Sequence, residues 1–276
     1  MSLRLNDDLN RTVLLPGGPA RRIVSLAPDV TENLFAIGAG SAVVGVTTAD
    51  TYPPQVNKLT RVGAFGQPDY ERIRALRPDL ILAASATMPP AQADLLGKRL
   101  GGLPVYVQIV KQYADVPRHL LQLGQLTGQM ATAKPIAAQM QSEAAQAARR
   151  TAGRPRVSVF VEVNASPLYA AGPGSFIDDL IRRAGGRNIV TGSNPFPLYS
   201  KEALLAADPE HYVIAVGSDM GADAMTSVPA SLPPSLAQRL RAVRSGNVHR
   251  IPADLLERAT PRLAQGLTLL TRALHP

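Results

Sequence analysis

Residues 71–83 read Glu-Arg-Ile-Arg-Ala-Leu-Arg-Pro-Asp-Leu-Ile-Leu-Ala, and residues 202–214 read Glu-Ala-Leu-Leu-Ala-Ala-Asp-Pro-Glu-His-Tyr-Val-Ile. In each stretch a glutamate lies in a short helical pattern, a proline follows seven residues later, and an acid then leads into an apolar strand. Phe65 and Phe196 each precede their glutamate by six residues. Two copies in the same register predict a duplicated unit, and therefore a protein of two similar lobes.

The same alternation extends over most of the chain. Short apolar runs, typical of buried strands, alternate with helical segments, which indicates an α/β fold with parallel sheets. Strands are predicted at residues 22–27, 43–47, 80–84, 103–107, 157–163, 188–190, 212–216 and 248–251. Asp69, Ser175 and Ser200 are expected to cap helices, and Asp29 or Thr31 is expected to cap the helix after the first strand.

The middle of the chain is helical. Residues 115–126 and 132–150 predict two helices, the second about 30 Å long and suited to act as a spacer between two lobes. We therefore divide the chain into an N-terminal extension (1–20), an N-terminal lobe (21–114), a helical segment with the linker helix (115–154) and a C-terminal lobe (155–276). A ligand is expected in the cleft between the lobes, beyond the carboxyl ends of the strands.

Composition excludes several classes of protein. A chain of 276 residues with 45% hydrophobic residues can bury a core, and the absence of Cys removes disulfides, thiolate metal sites and cysteine nucleophiles. The net charge of +8 comes from scattered cations, densest at Arg149–Arg156 and Arg182–Arg183. Because the chain has no Trp and few aromatics, it is poorly suited to stack bases, and we expect no nucleic-acid partner.

Motifs for catalysis are missing. There is no Walker A sequence and no Gly-x-Ser-x-Gly elbow, and the four histidines lack metal-ligand spacing. We expect no catalytic residue, no metal and no resident cofactor, which favours a binding protein over an α/β enzyme on the same frame. The first residues lack the apolar core of a signal peptide, so the chain is either cytoplasmic, as a sensor would be, or the mature segment of an exported protein.

Several stretches together resemble one family. Arg22-Ile-Val-Ser-Leu-Ala-Pro-Asp-Val-Thr-Glu32, Val44-Gly-Val-Thr47, Tyr52-Pro-Pro54 and residues 71–81 follow, in order, the periplasmic substrate-binding proteins of ABC importers for vitamin B12, haem and ferric siderophores. Residues 257–262, Glu-Arg-Ala-Thr-Pro-Arg, are most similar to the B12-binding members. The resemblance implies two Rossmann-like lobes joined by a single long helix, in an extracytoplasmic monomer with or without a lipid anchor.

The resemblance also implies a site. An acid on each lobe, here Glu71 and Glu202, docks into arginine pockets of the membrane permease dimer; each acid also suits the first turn of a helix. The ligand expected first is a corrinoid, with a ferric siderophore or haem as alternatives. The residues implied in ligand binding are Phe65, Phe196, Tyr199, Tyr52, Asp254 and Arg258. Tyr199 is equally suited to a core, and Asp254 with Arg258 to a surface ion pair.

Overall fold

The computed structural model describes residues 2–84, 90–217 and 229–276. The chain divides into two compact units. The first unit comprises Met1–Val110 and Ala114–Gln139, and the second comprises Lys111–Tyr113 and Met140–Pro276. No helix in the described ranges is both long enough and apolar enough to cross a membrane.

The first unit contains the strands β1 (Leu3–Asn6), β2 (Thr12–Leu15), β3 (Ile23–Ser25), β4 (Val43–Val46), β5 (Thr60–Arg61), β6 (Gly63–Ala64), β7 (Gln67–Pro68), β8 (Leu80–Ala84) and β9 (Val105–Gln108). The unit is built on a parallel sheet of five of these strands, in the order β5-β4-β3-β8-β9. Its helices are α1 (Pro28–Ala36), α2 (Tyr70–Ala75), α3 (Pro90–Arg99) and α4 (Asp115–Thr127). The pairs β1–β2 and β6–β7 are separate antiparallel ribbons.

Helix α5 (Met130–Thr151) begins among residues of the first unit and ends among those of the second. The second unit contains β10 (Val157–Ala165), β11 (Leu168–Ala170), α6 (Phe176–Arg183), β12 (Gly186–Asn188), α7 (Lys201–Ala207), β13 (His211–Val216), α8 (Pro234–Ala237), α9 (Arg241–Arg244), β14 (Val248–Pro252), α10 (Ala253–Leu256) and α11 (Leu263–Leu274). Strands β10, β13 and β14 are parallel neighbours. Strand β12 pairs in parallel with the beginning of β10, and β11 pairs antiparallel with its end.

The predicted α/β class with parallel sheets is confirmed. Of the predicted helix N-caps, three are present and one is wrong. Asp69 and Ser200 cap α2 and α7, and Ser175 caps α6, each side chain accepting a backbone N–H. The prediction for α1 is wrong: Ala27 is its N-cap and Pro28 its first residue, with no side-chain cap. Proline suits this position because the first N–H of a helix has no intrahelical partner.

Each unit has its own apolar core. In the first, Val24, Ile81 and Val107 on the sheet pack with Ile73 of α2 and Leu96 of α3. In the second, Phe160, Tyr212 and Ile214 on the sheet pack with Leu204 of α7 and Leu240. The rings of Phe160 and Tyr212 meet at a tilted angle with centroids 5.1 Å apart. Burying one face of the sheet against helices is what stabilises each unit.

The first twenty residues are part of the first unit. Asp8 donates its backbone N–H to the carbonyl of Val107 in β9, and its carboxylate accepts the N–H of Ile109 at 2.6 Å. The same carboxylate contacts Arg118 and lies 2.6 Å from Nε2 of His119, both on α4. Burial alone would raise the pKa of Asp8, but hydrogen bonds from His119, Arg118 and Ile109 outweigh it and lower the pKa.

The three prolines of segment 227–235 predict a loop. Residues 227 and 228 lie outside the described ranges, and α8 begins at Pro234 within the segment. Pro233 and Pro234 permit this start because the first backbone N–H groups of a helix need no partner in the helix.

Candidate functional site

In the first unit, aromatic side chains follow the carboxyl ends of the parallel strands. Tyr52 lies a few residues beyond the end of β4, and Phe65 lies in the turn between β6 and β7, just after β5. Their relative exposures are 41% and 44%, although large apolar groups are normally buried. Exposed rings beyond the carboxyl edge of a parallel sheet are available to a ligand.

The second unit repeats this arrangement. Residues 195–199 run beside β11, because Tyr199 donates its N–H to Leu168 and Gly172 donates its N–H to Pro195. Since β11 pairs with the carboxyl end of β10, this places Phe196 at that end of the strand. The exposure of Phe196 is 39%. Tyr199 instead packs its ring on Phe160, with centroids 5.2 Å apart, so one of its faces belongs to the core.

Two further apolar side chains extend the exposed surface around Phe196. Tyr169 on β11 forms an isolated antiparallel bridge with Leu198, and their exposures are 38% and 66%. Neither residue was predicted from the sequence. The strand Leu168–Ala170 is too short to show a periodic pattern, and only the pairing with residues 195–199 marks it as part of this surface. We name Tyr169, Phe196 and Leu198 the aromatic ledge.

Asp254 and Arg258 follow the carboxyl end of β14, on α10 and the turn after it. The Nε of Arg258 donates to Oδ1 of Asp254 at 2.7 Å, and Arg262 approaches Oδ2 at 3.4 Å. The expected i,i+4 ion pair is therefore present, with the side chain of Asp254 37% exposed and that of Arg258 24%. A half-exposed carboxylate held by two guanidinium groups can still accept a hydrogen bond from a ligand.

Glu257 is a third residue of these surfaces that was not predicted from the sequence. Its Oε1 is buried without a hydrogen-bond partner among the described residues. Burial, followed by the charge of nearby Asp254, raises its pKa to about 7, while Arg258 acts in the opposite direction. Glu257 is thus a carboxyl that can carry its proton near neutral pH, one turn from Asp254. No periodicity in the sequence distinguishes it from an exposed glutamate.

Glu71 and Glu202 both lie in the first turn of a short helix, with their side chains exposed. The Glu71 side chain is 82% exposed and pairs with Arg74 at 3.0 Å. Both carboxylates are accessible to a partner, and both also suit the positive end of a helix.

Two acids of the first unit, one buried and one partly buried, lie beside the carboxyl edge of its sheet. Asp50, just before Tyr52, accepts the N–H and hydroxyl of Thr47 on Oδ2, while its Oδ1 is buried without a partner. Burial raises the pKa of Asp29, at the start of α1. In the described ranges, no group of three or more His, Cys, Asp or Glu side chains is arranged to hold a metal ion. The contacts of Asp50 with Thr47 hold the segment that leads to Tyr52.

The fold and these surfaces define a class: a two-unit α/β binding protein with exposed aromatic rings beyond the strand ends. Residues 23–255 match the family model described as periplasmic binding protein. The chain belongs to the periplasmic binding protein family, as the resemblance predicted. Members of this family are substrate-binding proteins of ABC transporters and not enzymes.

Two relatives illustrate the sequence similarity. A vitamin B12-binding protein of Salmonella typhimurium is 30% identical over 265 residues, covering 92% of this chain and 90% of the relative. An uncharacterised ABC transporter substrate-binding lipoprotein of Bacillus subtilis is 28% identical over 278 residues, covering 99% of this chain and 85% of the relative.

Two solved structures share the fold. A periplasmic vitamin B12-binding protein of Vibrio cholerae superposes with a TM-score of 0.81 at 26% identity, covering 93% of this chain and 97% of the other. A periplasmic haem-binding protein of Pseudomonas aeruginosa gives a TM-score of 0.78 at 28% identity, covering 93% of both chains. Relatives of different ligand class thus share the fold, and the ligand has to be inferred from side chains.

Proposed function

We propose that this protein is the extracytoplasmic receptor of an ABC importer, and that it captures a corrinoid of the vitamin B12 type and delivers it to the permease. The observation that carries this proposal is the exposure of aromatic rings beyond the strand ends: Tyr52 and Phe65 in the first unit, Tyr169 and Phe196 in the second. A corrin ring is broad and flat, and such rings bury its faces efficiently.

The polar residues suit the rim of the same ligand. A corrin carries amide side chains, which donate and accept hydrogen bonds. Asp254 can accept an amide N–H, Arg258 can donate to an amide carbonyl, and a protonated Glu257 can do either. Relatives named for cobalamin or vitamin B12 binding in Halobacterium, Vibrio and Salmonella support the same ligand class.

Haem is the second candidate, and one feature favours it. Tyr52 is an exposed tyrosine beyond the strand ends of the first unit, which also carries Phe65. Tyrosine is one of the protein side chains that can ligate haem iron. The haem-binding protein of Pseudomonas aeruginosa with the same fold supports this alternative. A ferric siderophore would be bound by Arg258 and by the positive charge of the protein, +8 overall, more than by the aromatic rings.

Delivery needs a docking contact. We assign it to Glu71 and Glu202, one carboxylate on each unit, each pairing with arginine on one subunit of the permease dimer. The receptor acts as a monomer in this scheme. The relatives named as periplasmic and as a lipoprotein support a place outside the cytoplasmic membrane, either free or lipid-anchored.

The test of the ligand is gel filtration of the unliganded protein with cyanocobalamin, read by visible absorbance. We expect one cobalamin to co-elute per chain. Phe196→Ala should weaken binding, whereas Leu95→Ala, an exposed apolar residue on α3, is the matched control and should not. If cobalamin does not co-elute but hemin gives a shifted Soret band that Tyr52→Phe abolishes, haem replaces the corrinoid.

Docking is tested separately. The double variant Glu71→Gln, Glu202→Gln should bind ligand as the wild type does but fail to support uptake. Normal uptake by the double variant would remove the docking assignment and leave ligand capture untouched.

A further inference from the structure

The two proposed docking acids occupy equivalent places in their helices. Asp69 caps α2 and accepts the N–H three residues on at 3.1 Å; Ser200 caps α7 and accepts the corresponding N–H at 3.0 Å. Glu71 and Glu202 are each the second residue after the cap. Local backbone geometry therefore gives no reason for the two carboxylates to dock differently.

Their side-chain surroundings differ. One helical turn after Glu71 lies Arg74, whose guanidinium donates to Oε1 of Glu71 at 3.0 Å and also to the carbonyl of Arg99. The corresponding position after Glu202 is Leu205, which packs against the core of the second unit. Within the described ranges no basic side chain forms an ion pair with Glu202.

Arg74 is restrained where it lies. Its second contact, to the end of α3, ties the guanidinium to the same unit, and the guanidinium of Arg99 lies 5.4 Å from the ring centroid of Tyr70, beside Glu71. Arg72 pairs with Asp69 on the same turn. Arg74 is thus the cation that pairs with Glu71, and its second contact limits how far its guanidinium can move away.

We propose that Arg74 competes with the permease for Glu71, so that Glu202 makes the stronger of the two docking contacts. This inference rests on the proposed docking role of both acids. A permease arginine that reaches Glu71 must either displace Arg74 or share the carboxylate with it. Two guanidinium groups on one carboxylate repel each other, and the repulsion grows as the interface excludes water. At Glu202 a permease arginine neither displaces an arginine of this protein nor shares the carboxylate with one.

The experiment measures the affinity of ligand-loaded protein for its purified importer in lipid nanodiscs by surface plasmon resonance. We expect Glu202→Gln to weaken docking about tenfold and Glu71→Gln about threefold, less than the loss found on truncating a buried charge pair, because glutamine can still accept a hydrogen bond. Arg74→Gln should tighten docking about threefold, and more at low salt. Arg77→Gln removes the same charge from the turn just after α2, where the side chain does not pair with Glu71, and should leave docking unchanged.

The outcomes distinguish a failure of the docking assignment from a failure of the competition by Arg74. If neither Glu71→Gln nor Glu202→Gln weakens docking, the docking assignment itself is wrong. If both weaken it equally and Arg74→Gln has no effect, or weakens it, the docking role stands and the competition by Arg74 is overturned. A gain in Arg74→Gln that persists when Glu71→Gln is also present would likewise overturn it, because the competition requires the carboxylate.

Discussion

Tyr169 and Leu198 face each other across an isolated antiparallel bridge, and the bridge holds the segment that carries Phe196 beside the carboxyl end of β10. The aromatic ledge is therefore built by main-chain pairing between two short segments. Because a paired backbone restricts the ring positions before the ligand arrives, less conformational entropy is lost on binding.

The ledge should contribute directly to ligand affinity. We expect Tyr169→Ala and Phe196→Ala each to weaken cobalamin binding by about 2 kcal/mol, the scale of an anchoring aromatic residue. Isothermal titration calorimetry measures the change. Leu14→Ala removes an equally exposed apolar side chain from β2 and should leave affinity unchanged. Full affinity in both ledge variants would show that the ligand does not contact this surface.

Glu257 should make folding stability depend on pH. Its pKa in the folded protein, about 7, lies above the ordinary value of 4.5 because burial disfavours the ionised form. The folded state consequently holds a proton that the unfolded state releases, and stability falls as pH rises from about 4.5 to about 7. Glu257→Gln should raise the free energy of unfolding by about 2 kcal/mol at pH 8 and change it little at pH 4.5.

Urea denaturation at the two pH values measures this difference. Glu202→Gln, at an exposed position, is the control and should be neutral at both. An equal effect of Glu257→Gln at pH 4.5 and pH 8 would contradict an ionisation cost.

Asp8 should have the opposite dependence. Hydrogen bonds from His119, Arg118 and Ile109 lower the pKa of Asp8 in the folded state. The contribution of its carboxylate to folding stability is therefore complete above pH 3.8 and is lost as the pH falls below that value. Asp8→Asn should cost about 3 kcal/mol at pH 7, because it removes the carboxylate that pairs with Arg118 and accepts the N–H of Ile109 beside His119.

Chemical denaturation at pH 7 and pH 2.5 tests this, with the difference from wild type expected to shrink in acid. Asp94→Asn is the matched control: its side chain is 57% exposed and pairs with Arg11, so we expect less than about 0.5 kcal/mol. A difference between Asp8→Asn and wild type that is the same at both pH values would show that the carboxylate charge is not the source.

The second unit contains a histidine pair at the amino ends of two strands. Nδ1 of His211 lies 2.9 Å from Nε2 of His249, and the rings are stacked. Burial, with a further contribution from His249, lowers the pKa of His211 to about 4, while Glu210 opposes the shift. The unfolded chain therefore binds protons first, and stability present above pH 6.5 is lost as pH falls toward 4.

The folding stability that is lost between pH 6.5 and pH 4 should be smaller by about 2 kcal/mol in His211→Gln than in the wild type. Thermal melts over this pH range measure the loss. Lys201→Gln, at an exposed position on α7, should keep the wild-type profile. A wild-type melting temperature that is constant over this range would refute the argument.

Local patterns were enough to predict much of the framework. Leu80–Ala84 is a strand with the bounds predicted, and Asp69, Ser175 and Ser200 cap the helices they were expected to cap. These features depend on neighbours within a few residues, which sequence reasoning can evaluate. The cap of α1 was mispredicted because Pro28 competes with Asp29 and Thr31 for the helix start, and the proline ring favours the first helical position.

By itself the sequence determined the α/β class, the repeated helix–strand unit and the positions of Phe65, Phe196, Glu71 and Glu202 within it, since periodicity and spacing are local properties of a chain. Tertiary structure alone decided the burial of Glu257 and the bridge between Tyr169 and Leu198. It also decided the contact of Asp8 with His119, 111 residues away. Burial and long-range pairing depend on which surfaces the folded chain brings together, and no local pattern encodes them.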